Sequence, residues 1–134
     1  MGIIEPSKLP PPKPLIWMGS ARKDLRALPS AVVDAFGYAL YLAQCGKRHE
    51  GTKILRGFGD AGVLEVVESQ AGSTYRAVYT VRFVDAVIVL HVFQKKSKLG
   101  SETPKPDKDL IRARLKDATE FMKQQQKNRR DKPT

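Results

Sequence analysis

Three stretches of this chain carry residue types spaced so that they could handle an anion or a proton. The first is "VLHVFQKKSK", residues 89–98, where His91 interrupts an apolar run that ends on Lys95, Lys96 and Lys98. The second is "GTKILRGFGDAG", residues 51–62, with Lys53 and Arg56 followed by Gly57, Gly59 and Gly62. The third is "TYRAVYTVRF", residues 74–83, which sets Arg76 and Arg82 among aromatic and β-branched residues. An imidazole can move a proton near neutrality, and lysine and arginine can hold a phosphate. The plainer reading of residues 89–98 is an edge strand with a solvated end, and of residues 51–62 a flexible loop leading into a strand.

Several chemistries are excluded or poorly supported. Residues 51–62 lack the GK[ST] ending of a Walker loop and the helix that should follow it. His49 and His91 are far apart, with no HExxH-like or paired-carboxylate spacing, so metal ligation and a bound cofactor are not expected. No nucleophile elbow supports Ser/His/Asp catalysis. The single Cys45, before Gly46, allows no internal disulfide and reads as a packing residue.

The elements that must position these residues are legible from periodicity. "EPSKLPPPKP", residues 5–14, holds five of nine prolines and reads as an extended arm. "LIWM" (15–18) is a short strand candidate. Ser20 offers an N-cap to "ARKDLRAL", which turns Leu25 and Leu28 inward. After Pro29, Ser30 can cap a helix to about Cys45, with Val32, Val33, Phe36, Ala39, Leu40 and Ala43 on one buried face. The period then changes: residues 62–68, 74–83 and 86–95 are β-rich and joined by spacers short enough only for antiparallel hairpins. Asp107 can cap a last helix with an apolar stripe of Ile111, Leu115, Ala118 and Met122. The remaining tail, residues 123–134, is polar and basic and is expected to fray. The order predicts an α+β sandwich, a helical hairpin packed on a curved antiparallel sheet with a C-terminal helix.

If Phe83 opposes Ala86, antiparallel pairing sets Val78 opposite His91 and Arg76 opposite Phe93. One face then collects Tyr75, Ala77, Tyr79, Val81, Ile88, Leu90 and Val92 for the helices. The other collects Arg76, Val78, Thr80, Arg82, Val87, Val89, His91, Phe93 and Lys95. A concave anion site would use that second set, whereas a merely solvated face has no need of it.

The 134 residues suit one domain with tails. The formal net charge is +10, and residues 95–134 hold 13 basic against 6 acidic residues while residues 1–94 hold 11 against 8. Such a field draws in polyanions, or equally an acidic protein partner. No apolar run approaches the roughly 20 residues of a membrane span, and the N-terminus has no secretory apolar region, so no membrane association and a cytoplasmic location are expected.

The strings "LRALPSAVVDAFGYALYLAQCG", "ILRGFGDAGVLEVVE", "TYRAVYTVRF", "VLHVFQKKSK" and "TPKPDKDLIRARL" together resemble the phage-derived, toxin-like proteins of the RelE/ParE superfamily. Within it they are most similar to the HigB-type toxins of type II toxin–antitoxin systems. The resemblance spans about residues 15–122, leaving the arm at 1–14 and the tail at 123–134 outside. It implies the small RelE-like sandwich, a cognate helix-turn-helix antitoxin as partner, and metal-independent cleavage of mRNA on the ribosome. In that chemistry the ribose 2′-hydroxyl attacks the adjacent phosphate in line. The resemblance places Arg76 and Lys95 at the phosphate and His91 in proton transfer. Lys53, Arg56 and Lys96 would be further cations, with Tyr75 or Phe93 stacking a base. The ParE branch shares the fold but poisons DNA gyrase, and a non-catalytic module binding nucleic acid through the basic tail is a third reading.

Overall fold

The computed structural model describes residues 10–59, 62–95 and 102–130. The chain runs β1 (Leu15–Trp17), α1 (Ala21–Arg26), α2 (Ser30–Gln44), β2 (Thr52–Ile54), β3 (Val63–Gln70), β4 (Ser73–Thr80), β5 (Val87–Lys95) and α3 (Lys105–Arg130). The five strands form one sheet in the order β1-β5-β4-β3-β2. This is the expected α+β sandwich, but the sheet is mixed: β1 lies parallel to β5, and all other pairs are antiparallel. The parallel pairing follows from the lead-in. Residues 13 and 14 are pinned between α2 and β5, through Gln44 Nε2 to the Lys13 carbonyl at 2.7 Å and Val87 N–H to the Pro14 carbonyl at 3.0 Å.

Local chemistry explains the helix boundaries. The Ser20 hydroxyl donates to the Asp24 carboxylate at 2.6 Å, not to the backbone, at the start of α1. Pro29 occupies the N-cap of α2, one residue before the serine expected there, and its carbonyl takes the N–H groups of Val32 and Val33. Gly46 ends α2 with φ +77°. The Gly46 N–H bonds to the Ala43 carbonyl and the Lys47 N–H to that of Leu42, a Schellman closure. α3 begins at Lys105, leaving Asp107 in its first turn, where a carboxylate suits the helix dipole. The helix does not stop near Met122. It continues to Arg130, so most of the tail expected to fray is helical.

The sheet is covered on both faces. α1 and α2 bury Ala21, Leu25, Val32, Phe36 and Leu40 against Leu64, Val66, Ala77, Tyr79, Val87, Val89 and Val92. α3 buries Ile111, Ala118 and Met122 against Val63, Val78, Ala86, Ile88 and Leu90. The register of Arg76 with Phe93 and Val78 with His91 is the predicted one. Beyond it a bulge intervenes, for Tyr79 pairs with Val89 and leaves Leu90 without a partner. The extra residue reverses the alternation of β5. Ile88 and Leu90, expected under the helical hairpin, therefore lie under α3, while Val87 and Val89 take the hairpin side.

Residues 51–62, expected to be loop, contribute the short edge strand β2, which pairs Lys53 with Glu65. Among the described residues no helix is long and apolar enough to cross a membrane.

Candidate functional site

The face of the sheet that carries α3 also carries the charged residues. Lys53 on β2, Glu65 on β3, Arg76 on β4 and Lys95 on β5 stand on four consecutive strands. Cross-strand neighbours and diagonal positions on one face lie within reach of long side chains. Arg76 Nη1 donates to Glu65 Oε1 at 2.7 Å, and Lys53 Nζ lies 3.7 Å from the same oxygen. The other carboxylate oxygen, Oε2, accepts the Thr103 hydroxyl at 2.7 Å, just ahead of α3. Glu65 is wholly buried and Arg76 is 3% exposed, whereas Lys53 is half in solvent. An ion pair taken so far out of water has to be hydrogen-bonded well, and each oxygen of Glu65 is. The Arg76 Nε is enclosed with no hydrogen-bond partner.

Lys95, at the end of β5, is 8% exposed and sits in the field of this cluster. Burial lowers its pKa from the ordinary 10.5; the Arg76 and Lys53 cations push in the same direction, and Glu65 and Glu102 oppose them. A lysine treated in this way gives up its proton more readily than an ordinary one.

A cleft of about 380 Å³ opens beside the cluster, lined by Lys53, Ile54, Leu55, Arg56, Glu65, Glu102, Thr103 and Lys108. Its loop wall is braced from α3, where the Arg112 guanidinium lies 5.1 Å from the centre of the Phe58 ring. Three cations, Lys53, Arg56 and Lys108, share the lining with two carboxylates, exposed Glu102 and the buried, hydrogen-bonded Glu65, and this net positive balance suits a phosphate group more than a cationic ligand.

The other expected residues divide. His91 is on the same face but 7% exposed, under α3. Its Nε2 meets Asp107 Oδ1 at 2.8 Å, its ring stacks on Phe93 with centroids 4.5 Å apart, and its Nδ1 is enclosed without a partner. His91 and Arg76 were expected to share a concave face; they do share a face, but both are buried on it, His91 held by Asp107 of α3 and Arg76 bonded to Glu65 of β3. Tyr75 faces α2, opposite to Arg76, because successive strand residues alternate. Tyr75, expected as one of two residues that could stack a base, is thus placed on the opposite face of the sheet from Arg76 and is 8% exposed. Lys96 lies outside the described residues.

Glu65 is the functional candidate that periodicity did not single out. Its signal is a lone carboxylate amid "VLEVV", where a strand buried on both faces has no use for a charge unless a partner is supplied. Among the described residues no three His, Cys, Asp or Glu side chains gather in a way that could hold a metal ion.

Comparison with solved structures finds partial likenesses. A doubly substituted mutant of the E. coli toxin RelE in the free state is 26% identical, with a TM-score of 0.48 over 61% of this chain and 82% of that one. The toxin–antitoxin complex RelBE2 from Mycobacterium tuberculosis contains a chain 23% identical, with a TM-score of 0.44 over 64% of this chain and 94% of that one. No curated protein matches. The model of the family "Phage derived protein Gp49-like (DUF891)" matches residues 23–116, a span that includes α2, every strand from β2 to β5 and the first half of α3. The chain belongs to this Gp49-like family of phage-derived proteins.

Proposed function

We propose that the protein is the toxin of a type II toxin–antitoxin pair and that it cleaves mRNA, without a metal, at the cleft between β2 and the start of α3. The observation that carries this reading is the set of cations, Lys53, Arg76 and Lys95, gathered around buried Glu65, with Lys53 and Glu65 themselves lining the cleft. Membership of a phage-derived family and the RelE/HigB-like strings in the sequence point the same way.

In this reading Lys53, Arg56 and Lys108 bind the backbone phosphates at the cleft mouth. The neutral fraction of Lys95, enlarged by its lowered pKa, accepts the proton of the 2′-hydroxyl as that oxygen attacks phosphorus; the 5′-oxygen leaves and takes that proton from the lysine, so the amine is neutral again and a 2′,3′-cyclic phosphate remains. Arg76 contributes positive charge at the phosphate from a position fixed by Glu65. His91 is given a positioning role: its Nε2 is engaged by Asp107, so it anchors α3 over the face instead of carrying the proton. A small helix-turn-helix antitoxin would neutralise the toxin, and the message would be cut on the ribosome.

Induction in cells with primer extension on their mRNA tests this. Growth arrest with discrete cuts, both removed by Lys95→Met, is the expected result. Arrest accompanied by DNA breaks and intact mRNA would assign the chain to gyrase poisoning, and no arrest at all would remove the toxin reading.

A further inference from the structure

The far end of α3 forms a second charged surface that shares no residue with the cleft. A smaller opening of about 210 Å³ is lined by Arg82 and Phe83 from the β4–β5 connection and by Thr119, Met122, Lys123 and Gln126 from α3. Along the helix, Thr119, Lys123, Gln126 and Arg130 follow one another at spacings of three and four residues, and Lys127 flanks them. They therefore share one side of α3. From Phe121 to Arg130 the helix carries Lys123, Lys127, Arg129 and Arg130 and no acidic residue. This end is held to the body of the protein, since Arg129 Nη1 meets Asp85 Oδ2 of the β4–β5 turn at 3.1 Å.

Basic residues in the last turn also complement the helix dipole, and that would account for Lys127, Arg129 and Arg130. It does not account for Lys123, nor for Arg82, which arrives from a different element to face the same opening. The acidic groups nearby are few. Asp85 is taken by Arg129. Glu120 lies 3.7 Å from Lys123, with both side chains about two-thirds exposed. Such a contact has little strength in water. Residues 117–130 lie beyond the span matched by the family model, whereas Arg82 and Phe83 lie inside it.

We infer that Arg82, Lys123, Lys127 and Arg130 form a second binding surface for the phosphate backbone of an RNA, separate from the cleft. Lys108 at the cleft and Lys123 stand on the same helix. About four helical turns separate them, on the order of 22 Å along the axis. Cations at this separation contact different stretches of a bound RNA, and the outer set adds affinity without touching the scissile phosphate. The inference does not depend on the cleft being catalytic.

The test uses the full chain and a short 2′-O-methyl RNA hairpin, which cannot be cut through a 2′-hydroxyl. Binding is measured as a function of salt for the wild type and for the triple variant Lys123→Gln, Lys127→Gln, Arg130→Gln. Glutamine is chosen because it keeps helix propensity. A second triple variant, Arg22→Gln, Lys23→Gln, Arg26→Gln on exposed α1, removes the same charge elsewhere. The α3 variant should bind at least about tenfold more weakly at low salt, with the slope of log K against log salt reduced by about 2 to 3, while the α1 variant changes little. An equal loss in both variants would mean that only net charge matters, and an unchanged slope in the α3 variant would remove the site. Displacement of the hairpin by polyglutamate at equal charge concentration would point to an acidic protein and overturn the RNA assignment.

Discussion

Arg76 Nη1 lies 2.7 Å from Glu65 Oε1, and both side chains are closed off from solvent on the face covered by α3. Removing one partner strands the other charge in the interior. Glu65→Leu alone and Arg76→Met alone are each expected to cost about 3–5 kcal/mol, whereas the double variant should recover much of that loss. Urea unfolding of the three variants measures it, and additive losses would mean that the pair does not act as a unit.

His91 is expected to report on stability more than on chemistry. His91→Ala loses the 2.8 Å bond to Asp107 and the stacked contact with Phe93. A decrease of about 1–3 kcal/mol should follow, with cleavage by the molecules that remain folded within about tenfold of wild type. Thermal unfolding beside single-turnover cleavage separates the two; a fall of about a hundredfold or more in cleavage at unchanged melting temperature would return the proton-transfer role to His91.

Lys95 gives a pH dependence of definite sign. Its pKa is lowered in the fold, mainly by burial, so the folded protein binds this proton less tightly than the unfolded chain. The charged lysine therefore opposes folding at neutral pH. That cost is relieved as pH rises from the lowered value through the ordinary 10.5. Lys95→Met should melt at a higher temperature than wild type at neutral pH, with the gap closing as the solution is made alkaline. If Lys95 is the base of the proposed mRNA cleavage, the same substitution should reduce that cleavage by about a hundred- to ten-thousand-fold. Melting curves across pH, together with cleavage rates, check both halves.

The β3–β4 hairpin turns through Ala71 and Gly72, both at positive φ, 51° and 80°. Such a type I′ turn favours Asn-Gly, and an alanine there sits in the left-handed region at a cost of about 1–2 kcal/mol. Ala71→Asn should raise stability by about 1 kcal/mol without altering RNA binding, since asparagine tolerates this conformation and the turn carries none of the basic residues of α3. Unfolding by denaturant gives the value, and a loss of stability would mean that the turn is not limiting.

Periodicity in the sequence was enough to determine α1, α2, β3, β4, β5 and the existence of α3. Each has a run of apolar residues at a spacing of two or of three to four. The pairing of Arg76 with Phe93 and Val78 with His91 was legible too, because a short connection leaves few registers open. The bulge at Leu90 was not legible: it depends on how the sheet must bend under α3, and one inserted residue reverses every side chain before it. β2 was hidden because three residues in a glycine-rich stretch carry no period, and they become a strand only when β3 offers its edge. The candidate site divides along the same line. Residue type alone marked Lys53, Arg56, Arg76, His91 and Lys95 as chemistry-bearing. Only tertiary contacts decided that His91 is held by Asp107 of α3 and that Arg76 on β4 is buried against Glu65 on β3, with Lys53 and Arg56 left at the cleft. Those contacts join residues up to 38 positions apart, as Thr103 and Glu65 are, and no local pattern encodes a distance of that kind.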